Sequence, residues 1–106
     1  MAEIVWSEPA LRDLDAIADF IALENPAAAA ELVRRVIGHV EQLSDHPESG
    51  SRPLELKRSR YRQIVESPCR VFYRYDGKTV FILHVMRYER LLRKGQLASR
   101  AKHAKV

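Results

Sequence analysis

The hydrophobic period of this chain changes once, at Gly50, and the change divides it into a helical half and a stranded half. Before it, Ala10, Leu14, Ile17 and Ile21 recur at spacings of four, three and four, and Leu11 and Ala18 widen the stripe. Apolar side chains at that spacing share one face of an α-helix. Ser7 is placed to cap this helix, and Glu8 and Pro9 suit its first turn. Asp13, Asp15 and Asp19 fall mostly away from the stripe. Asn25-Pro26 closes one helix and opens the next, because Asn caps and Pro fits the first helical position. Ala29, Val33, Val36, Val40 and Leu43 then repeat at four, three, four and three. Leu32 and Ile37 broaden that face, and Glu31 is set to pair with Arg35 one turn later. Helices joined by so short a turn are antiparallel neighbours. Residues 46–50 end the second helix.

Beyond Gly50 the pattern is that of strands. Residues 60–66, 69–75 and 78–86 form three such runs, separated by Ser67-Pro68 and Asp76-Gly77. Asp-Gly between two runs of this kind is a strong hairpin signal. Residues 80–86 are apolar almost throughout, which predicts a central strand covered on both faces. Residues 3–6, short and β-branched, read as a first strand. The expected class is α+β: an N-terminal strand and an antiparallel helical hairpin packed on a small antiparallel sheet. One domain is expected over residues 1–94, with a helical turn at 89–94. The basic segment 95–106 is expected to be a flexible tail.

The chain has 106 residues, 46% of them hydrophobic. That is enough for one domain burying about 65% of the surface its unfolded chain exposes. No apolar run approaches the roughly 20 residues that cross a bilayer. The N-terminus lacks the basic region and apolar stretch of a secretory signal, so a cytoplasmic protein with no membrane partner is expected. The single cysteine, Cys69, has no internal disulfide partner and reads as a small buried thiol at the start of a strand. His39, His46 and His103 show no metal-ligand spacing with one another or with Cys69, so neither metal nor cofactor is expected. The net charge of +4 hides an asymmetry. Residues 1–50 carry three arginines against ten carboxylates, and residues 51–106 carry fifteen Lys and Arg against four. Two such halves suggest two surfaces with different partners, the basic one facing nucleic acid or an acidic protein.

The pattern Trp6-Ser7-x-x-Ala10-x-x-Asp13-Leu14-x-x-Ile17-x-x-Phe20-Ile21 resembles the opening of ParE-type toxins of the RelE/ParE superfamily. Pro26 with Ala29 or Ala30, then Leu43-x-x-x-Pro47-x-x-Gly50, continues the resemblance. The sheet adds Tyr61-Arg62, Arg70-Val71-Phe72-Tyr73-Arg74 and Val80-x-Ile82-Leu83-x-Val85, so that residues 4–90 are covered. The resemblance implies a small cytoplasmic toxin silenced by direct binding of an antitoxin, ParD-like or similar. It leaves open two chemistries, with a non-toxic binding module as a third reading. ParE-like members poison DNA gyrase by a protein–protein contact. RelE-like members cut mRNA in the ribosome, where attack of a 2′-hydroxyl on phosphate needs positive charge and a group that moves protons.

The resemblance implies two sets of residues. For a nuclease, Arg70 matches a phosphate arginine, Arg62 and Arg60 add charge on the preceding strand, and Arg87 and Arg90 follow the last strand. The paired lysines and the late tyrosine of RelE-like members are missing, so Tyr88 or His84 would have to move the proton. For a gyrase inhibitor no residue is catalytic, and Arg70, Arg74, Arg87, Tyr88, Arg90 and Arg93 are the expected target-binding set. From the residues alone, Arg70 and Arg74 alternate with Phe72 on one strand face. His84 reads first as a hydrogen-bonded core histidine, Trp6 as core, and Tyr61, Tyr73 and Tyr75 as packing residues with solvated hydroxyls.

Overall fold

The structure, a computed structural model, describes residues 1–88, 90–93 and 95–103. Strand β1 (Glu3–Trp6) leads into helix α1 (Glu8–Ala22) and helix α2 (Pro26–Glu41). Strands β2 (Tyr61–Glu66), β3 (Cys69–Tyr75) and β4 (Thr79–Arg87) follow, and helix α3 (Gln96–His103) ends the described chain. Both expected caps form: Ser7 Oγ accepts from the Ala10 N–H at 3.2 Å and Asn25 Oδ1 from Ala28 at 3.0 Å. Helix α2 stops at Glu41 and runs on as a 3₁₀ turn, Gln42–Ser44, short of residues 46–50. Glu31 pairs with Arg34 rather than Arg35, because the Arg35 guanidinium reaches across to Glu66 on β2.

The sheet order is β1-β4-β3-β2. The three C-terminal strands are antiparallel as expected, whereas β1 lies parallel to β4, which makes the sheet mixed. The Asp76 carboxylate closes the β3–β4 turn by accepting the N–H groups of Lys78 and Thr79, and Gly77 takes the positive φ of 99° there. Strand β4 is central and buried along most of its length. Leu83 is an extra residue against β3: Tyr73 faces Ile82, and Phe72 faces His84. This bulge leaves Val80, Ile82 and Val85 with the helical hairpin and Leu83 and Met86 on the opposite face.

The hairpin face holds the main core, in which Leu14 of α1 and Leu32, Val36 and Val40 of α2 meet Val71, Tyr73 and Ile82. Cys69 is buried here as a thiol in no disulfide, and Trp6 is partly buried against the same core. Burying each such side chain contributes about 1.5–3 kcal/mol. Tyr73 corrects the expectation of a solvated hydroxyl. It is fully buried, donating to the Pro47 carbonyl and accepting from the Gly50 N–H.

The second face corrects the expectation of a flexible tail. Residues 96–103 form a helix whose Leu97 and Ala101 are buried over Phe72, Leu83 and Met86. Those sheet residues are apolar, so leaving the helix undocked would return their surface to water. The basic composition of the segment concealed an apolar spacing of four. Residues 104–106, Glu89 and Lys94 lie outside the described residues, so the turn expected at 89–94 is only partly in view. Among the described residues no helix is long and apolar enough to cross a membrane.

Two glycines separate packing from propensity. A Cβ on Gly50 would lie 2.6 Å from the Tyr73 hydroxyl and 2.7 Å from the Gln63 carbonyl, whereas one on Gly38, inside α2, meets nothing within 4 Å. Gly50→Ala is therefore expected to destabilise by about 1–3 kcal/mol. Gly38→Ala is expected to stabilise by about 0.5–1 kcal/mol. Urea denaturation of the two variants checks both signs.

Candidate functional site

Strand β1 accompanies β4 only from Thr79 to Ile82, although β4 runs to Arg87. Past Ile82 the flank of β4 faces α1, and a groove of about 760 Å³ opens between them. Ile17 and Phe20 of α1 form one wall, and Arg87, Arg90, Leu91 and Arg93 form the other. Phe20 is 62% exposed and Leu91 80%, so the groove carries unusually accessible apolar surface. Arg87 lies over the Phe20 ring at 5.6 Å, a cation–π contact that ties the two walls together.

Its floor is a polar cluster centred on Asp13. The carboxylate accepts from His84 Nδ1 at 2.7 Å, from the Val85 N–H at 3.1 Å, and from both terminal nitrogens of Arg100. Arg100 also donates to the Leu83 carbonyl, and so pins α3 to both α1 and β4. His84 is buried, stacked on Phe72, with Nε2 3.1 Å from Gln96 Nε2. The Gln96 Oε1 accepts from the Arg93 N–H, so its amide nitrogen is the donor and His84 Nε2 the acceptor. Burial alone would raise the Asp13 carboxyl, but the bonds from His84, Arg100 and Val85 outweigh it and hold it below its ordinary value.

Arg70 stands apart from this groove. It shares a sheet face with Phe72 and Arg74, as its alternation implied, and lies over the Phe72 ring at 4.8 Å. Yet it is buried, with two nitrogens on the Glu55 carboxylate at 2.8 and 2.9 Å and further bonds to Gln63 and the Arg90 carbonyl. A guanidinium committed in this way is not presented to a phosphate. The Arg70 hydrogen bonds lower Glu55 from 4.5 to about 2, against the opposing effect of burial.

The remaining expected residues divide by strand register. Arg62 pairs with Tyr73 and so lies on the opposite face from Arg70, where it donates to the Glu48 and Gly50 carbonyls. Arg74 is half-buried over Phe81. Tyr88 is exposed and does not line the groove. Thus the structure gathers Arg87, Arg90 and Arg93 into one site but does not bring Arg62, Arg70 and Tyr88 together. The sequence reading missed Asp13, Glu55, Phe20 and Arg100. Asp13 had a signal, since it lies three residues after Ala10 and four before Ile17, on the apolar stripe. Glu55 is the lone carboxylate of a cationic stretch, and Phe20, two helical turns after Asp13, shares that edge of the stripe. Arg100 had no signal in a run of basic residues.

Comparisons with known proteins identify the family. The family model of the ParE toxin of the type II toxin–antitoxin system parDE matches residues 4–92. A putative toxin, Y4kP, of Sinorhizobium fredii is 39% identical over 78% of this chain and 84% of its own length. Toxin RelE2 of Caulobacter vibrioides is 34% identical over 82% of this chain and 92% of its own. Among solved structures, a chromosomal ParDE toxin–antitoxin system from P. aeruginosa superposes with a TM-score of 0.70 at 29% identity. It covers 84% of this chain and 98% of that one. The toxin–antitoxin complex RelBE2 from Mycobacterium tuberculosis gives 0.55 at 25% identity, over 81% and 96%. The fold is therefore that of a type II toxin of the RelE/ParE superfamily. Within it, the chain belongs to the ParE toxin family.

The lowered carboxylates make stability depend on acid. A carboxyl depressed on folding contributes stability that is complete above its unfolded value and lost as pH falls through the folded one. For Glu55 that window runs from 4.5 down to about 2, and the direction for Asp13 is the same. Chemical denaturation across this range is expected to show falling stability, with a flatter profile and lower neutral stability for Glu55→Gln. Arg100→Ala is expected to cost about 1.5–3 kcal/mol through its charged hydrogen bonds. Faster amide exchange confined mainly to α3 would report that loss.

Proposed function

We propose that this chain is a cytoplasmic toxin that arrests growth by inhibiting DNA gyrase through a surface contact, and that a cognate antitoxin silences it by direct binding. The observation that carries the gyrase reading is the Arg70–Glu55 pair: the arginine matched to a nuclease phosphate contact is buried and neutralised. Three further points support it. Arg62 lies on the other face of the sheet, Tyr88 stands outside the groove, and the exposed Arg90 and Arg93 line the groove together with Phe20 and Leu91. Such a surface suits a protein partner, because an aromatic anchor flanked by arginines is the common composition of an interface centre. A toxin of this kind needs no catalytic residue and no cofactor. The ParDE and RelBE2 neighbours are toxin–antitoxin assemblies, which supports the antitoxin as partner.

Induction of the chain alone is expected to arrest growth with altered plasmid supercoiling and DNA breaks, while mRNA stays intact. Co-expression of the antitoxin is expected to restore growth. The paired substitution Arg70→Met with Glu55→Met removes both buried charges without leaving either unpaired, which commonly costs little stability. It is expected to keep the arrest, as is Tyr88→Phe. Ribosome-bound mRNA cut by the natural chain and spared by the paired variant would instead establish an interferase. Normal growth at full soluble expression would establish a binding module.

A further inference from the structure

The cations of residues 52–60 take no part in the groove or in the Arg70–Glu55 pair. Leu56 ends a 3₁₀ turn (Leu54–Leu56) and packs against the cluster of Tyr61 and Phe72, so this loop rides on the α3 side of the sheet. Arg52 closes the loop by donating to the Ser59 carbonyl. Lys57, Arg58 and Arg60 are exposed. Glu55, the carboxylate of the loop, is already engaged by Arg70 and by the Leu92 N–H.

Strand register extends this charge across the sheet. Tyr61 faces Arg74 on β3, and Arg74 faces Phe81 on β4, so the three side chains form one row on that side. Arg60 lies over the Tyr61 ring at 5.9 Å and Arg74 over the Phe81 ring at 5.7 Å. Arg74 Nε is buried with no hydrogen-bond partner. Among the described residues Lys57, Arg58, Arg60 and Arg74 have no ion pair. Asp76 feels the charge of Arg74 but is occupied by the N–H groups of Lys78 and Thr79, and Glu3 lies beyond β4 on β1. Arg74 is four residues along β3 from Arg70, about 13 Å at the rise of a strand, so this row is separate from the buried pair.

We infer that Lys57, Arg58, Arg60 and Arg74 hold the phosphate backbone of duplex DNA. Cations with no carboxylate of their own fit a polyanion, whose condensed counterions they displace. Single-stranded ligands are held by stacking bases on open aromatic faces. Here Tyr61 is buried, and the Tyr61 and Phe81 rings each carry an arginine, so the surface offers charge rather than a stacking platform. Contacts of this kind position a duplex without reading its sequence. That the duplex is the segment held by gyrase rests on the function proposed above; the affinity for the phosphate backbone does not. On that reading the groove contacts the enzyme and this surface its DNA.

The test is fluorescence anisotropy of the full chain with a labelled DNA duplex of about 20 base pairs, in salt between about 50 and 200 mM. The dissociation constant is expected at about 10⁻⁶–10⁻⁴ M, the range of sequence-independent binding, and a scrambled duplex is expected to bind equally. The logarithm of affinity is expected to fall with that of salt at a slope of about −3 to −4, near −0.9 for each phosphate contact. Lys57→Gln with Arg58→Gln is expected to weaken binding at least about tenfold at the lowest salt and to flatten the slope by about 2. Arg12→Gln with Arg34→Gln removes the same charge from exposed positions on the helical hairpin, and is expected to leave the slope unchanged. Arg74→Gln is expected to flatten the slope by about 1, and Arg74→Lys, which keeps the charge, to restore it. Equal losses in the two double variants, a slope near zero, or tighter binding of single-stranded DNA or duplex RNA would each overturn the assignment. Duplex binding by a chain that leaves gyrase active would leave this surface standing and remove the gyrase reading. Gyrase inhibition by a chain without duplex affinity would do the reverse.

Discussion

Strand β4 is nine residues long and its parallel neighbour β1 is four, and much of the molecule follows from that mismatch. An uncovered strand flank in a buried sheet leaves backbone donors and acceptors that need partners. Here Asp13 from α1 and Arg100 from α3 supply them. Because one carboxylate receives His84, Arg100 and the Val85 N–H together, the first helix, the central strand and the last helix are fastened at one point. The groove lies directly over this junction.

The basic half of the chain is not one surface. Strand alternation sends Arg62 to the hairpin side and Arg70 and Arg74 to the other, and Arg100 is spent on fastening α3. Arg70 in particular is internal, and burying a guanidinium demands a carboxylate in good geometry, which Glu55 provides. What remains for an outside partner at the groove is the group that follows β4. The charge asymmetry of the sequence is one of composition, and its reach as a surface is much narrower than fifteen cations suggest.

The layout of the fold was legible because periodicity is local. Capping by Ser7 and Asn25, the 3.6-residue stripes of α1 and α2, the Asp76-Gly77 turn and the apolar run of β4 each depend on residues close in sequence. Even the boundaries of β2 and β3 fell within a residue of those expected. Helix α3 escaped because Leu97 and Ala101 are few among basic neighbours, and their value depends on the apolar sheet face they meet. The solvated hydroxyl expected of Tyr73 failed for a related reason: Gly50 and the Pro47 carbonyl, distant in sequence, come close enough to take it.

By itself, then, the sequence determined the elements, their order, the hairpin and the central strand, since hydrophobic spacing and turn chemistry act over a few residues. Its resemblance to ParE-type toxins also identified the family. The tertiary structure alone decided which arginines face outward, because that depends on register, on the bulge at Leu83 and on a carboxylate fifteen residues away from Arg70. It alone set the parallel placement of β1, and with it the open flank of β4. Charge and edge exposure are properties of neighbours in space, and a linear pattern does not contain them.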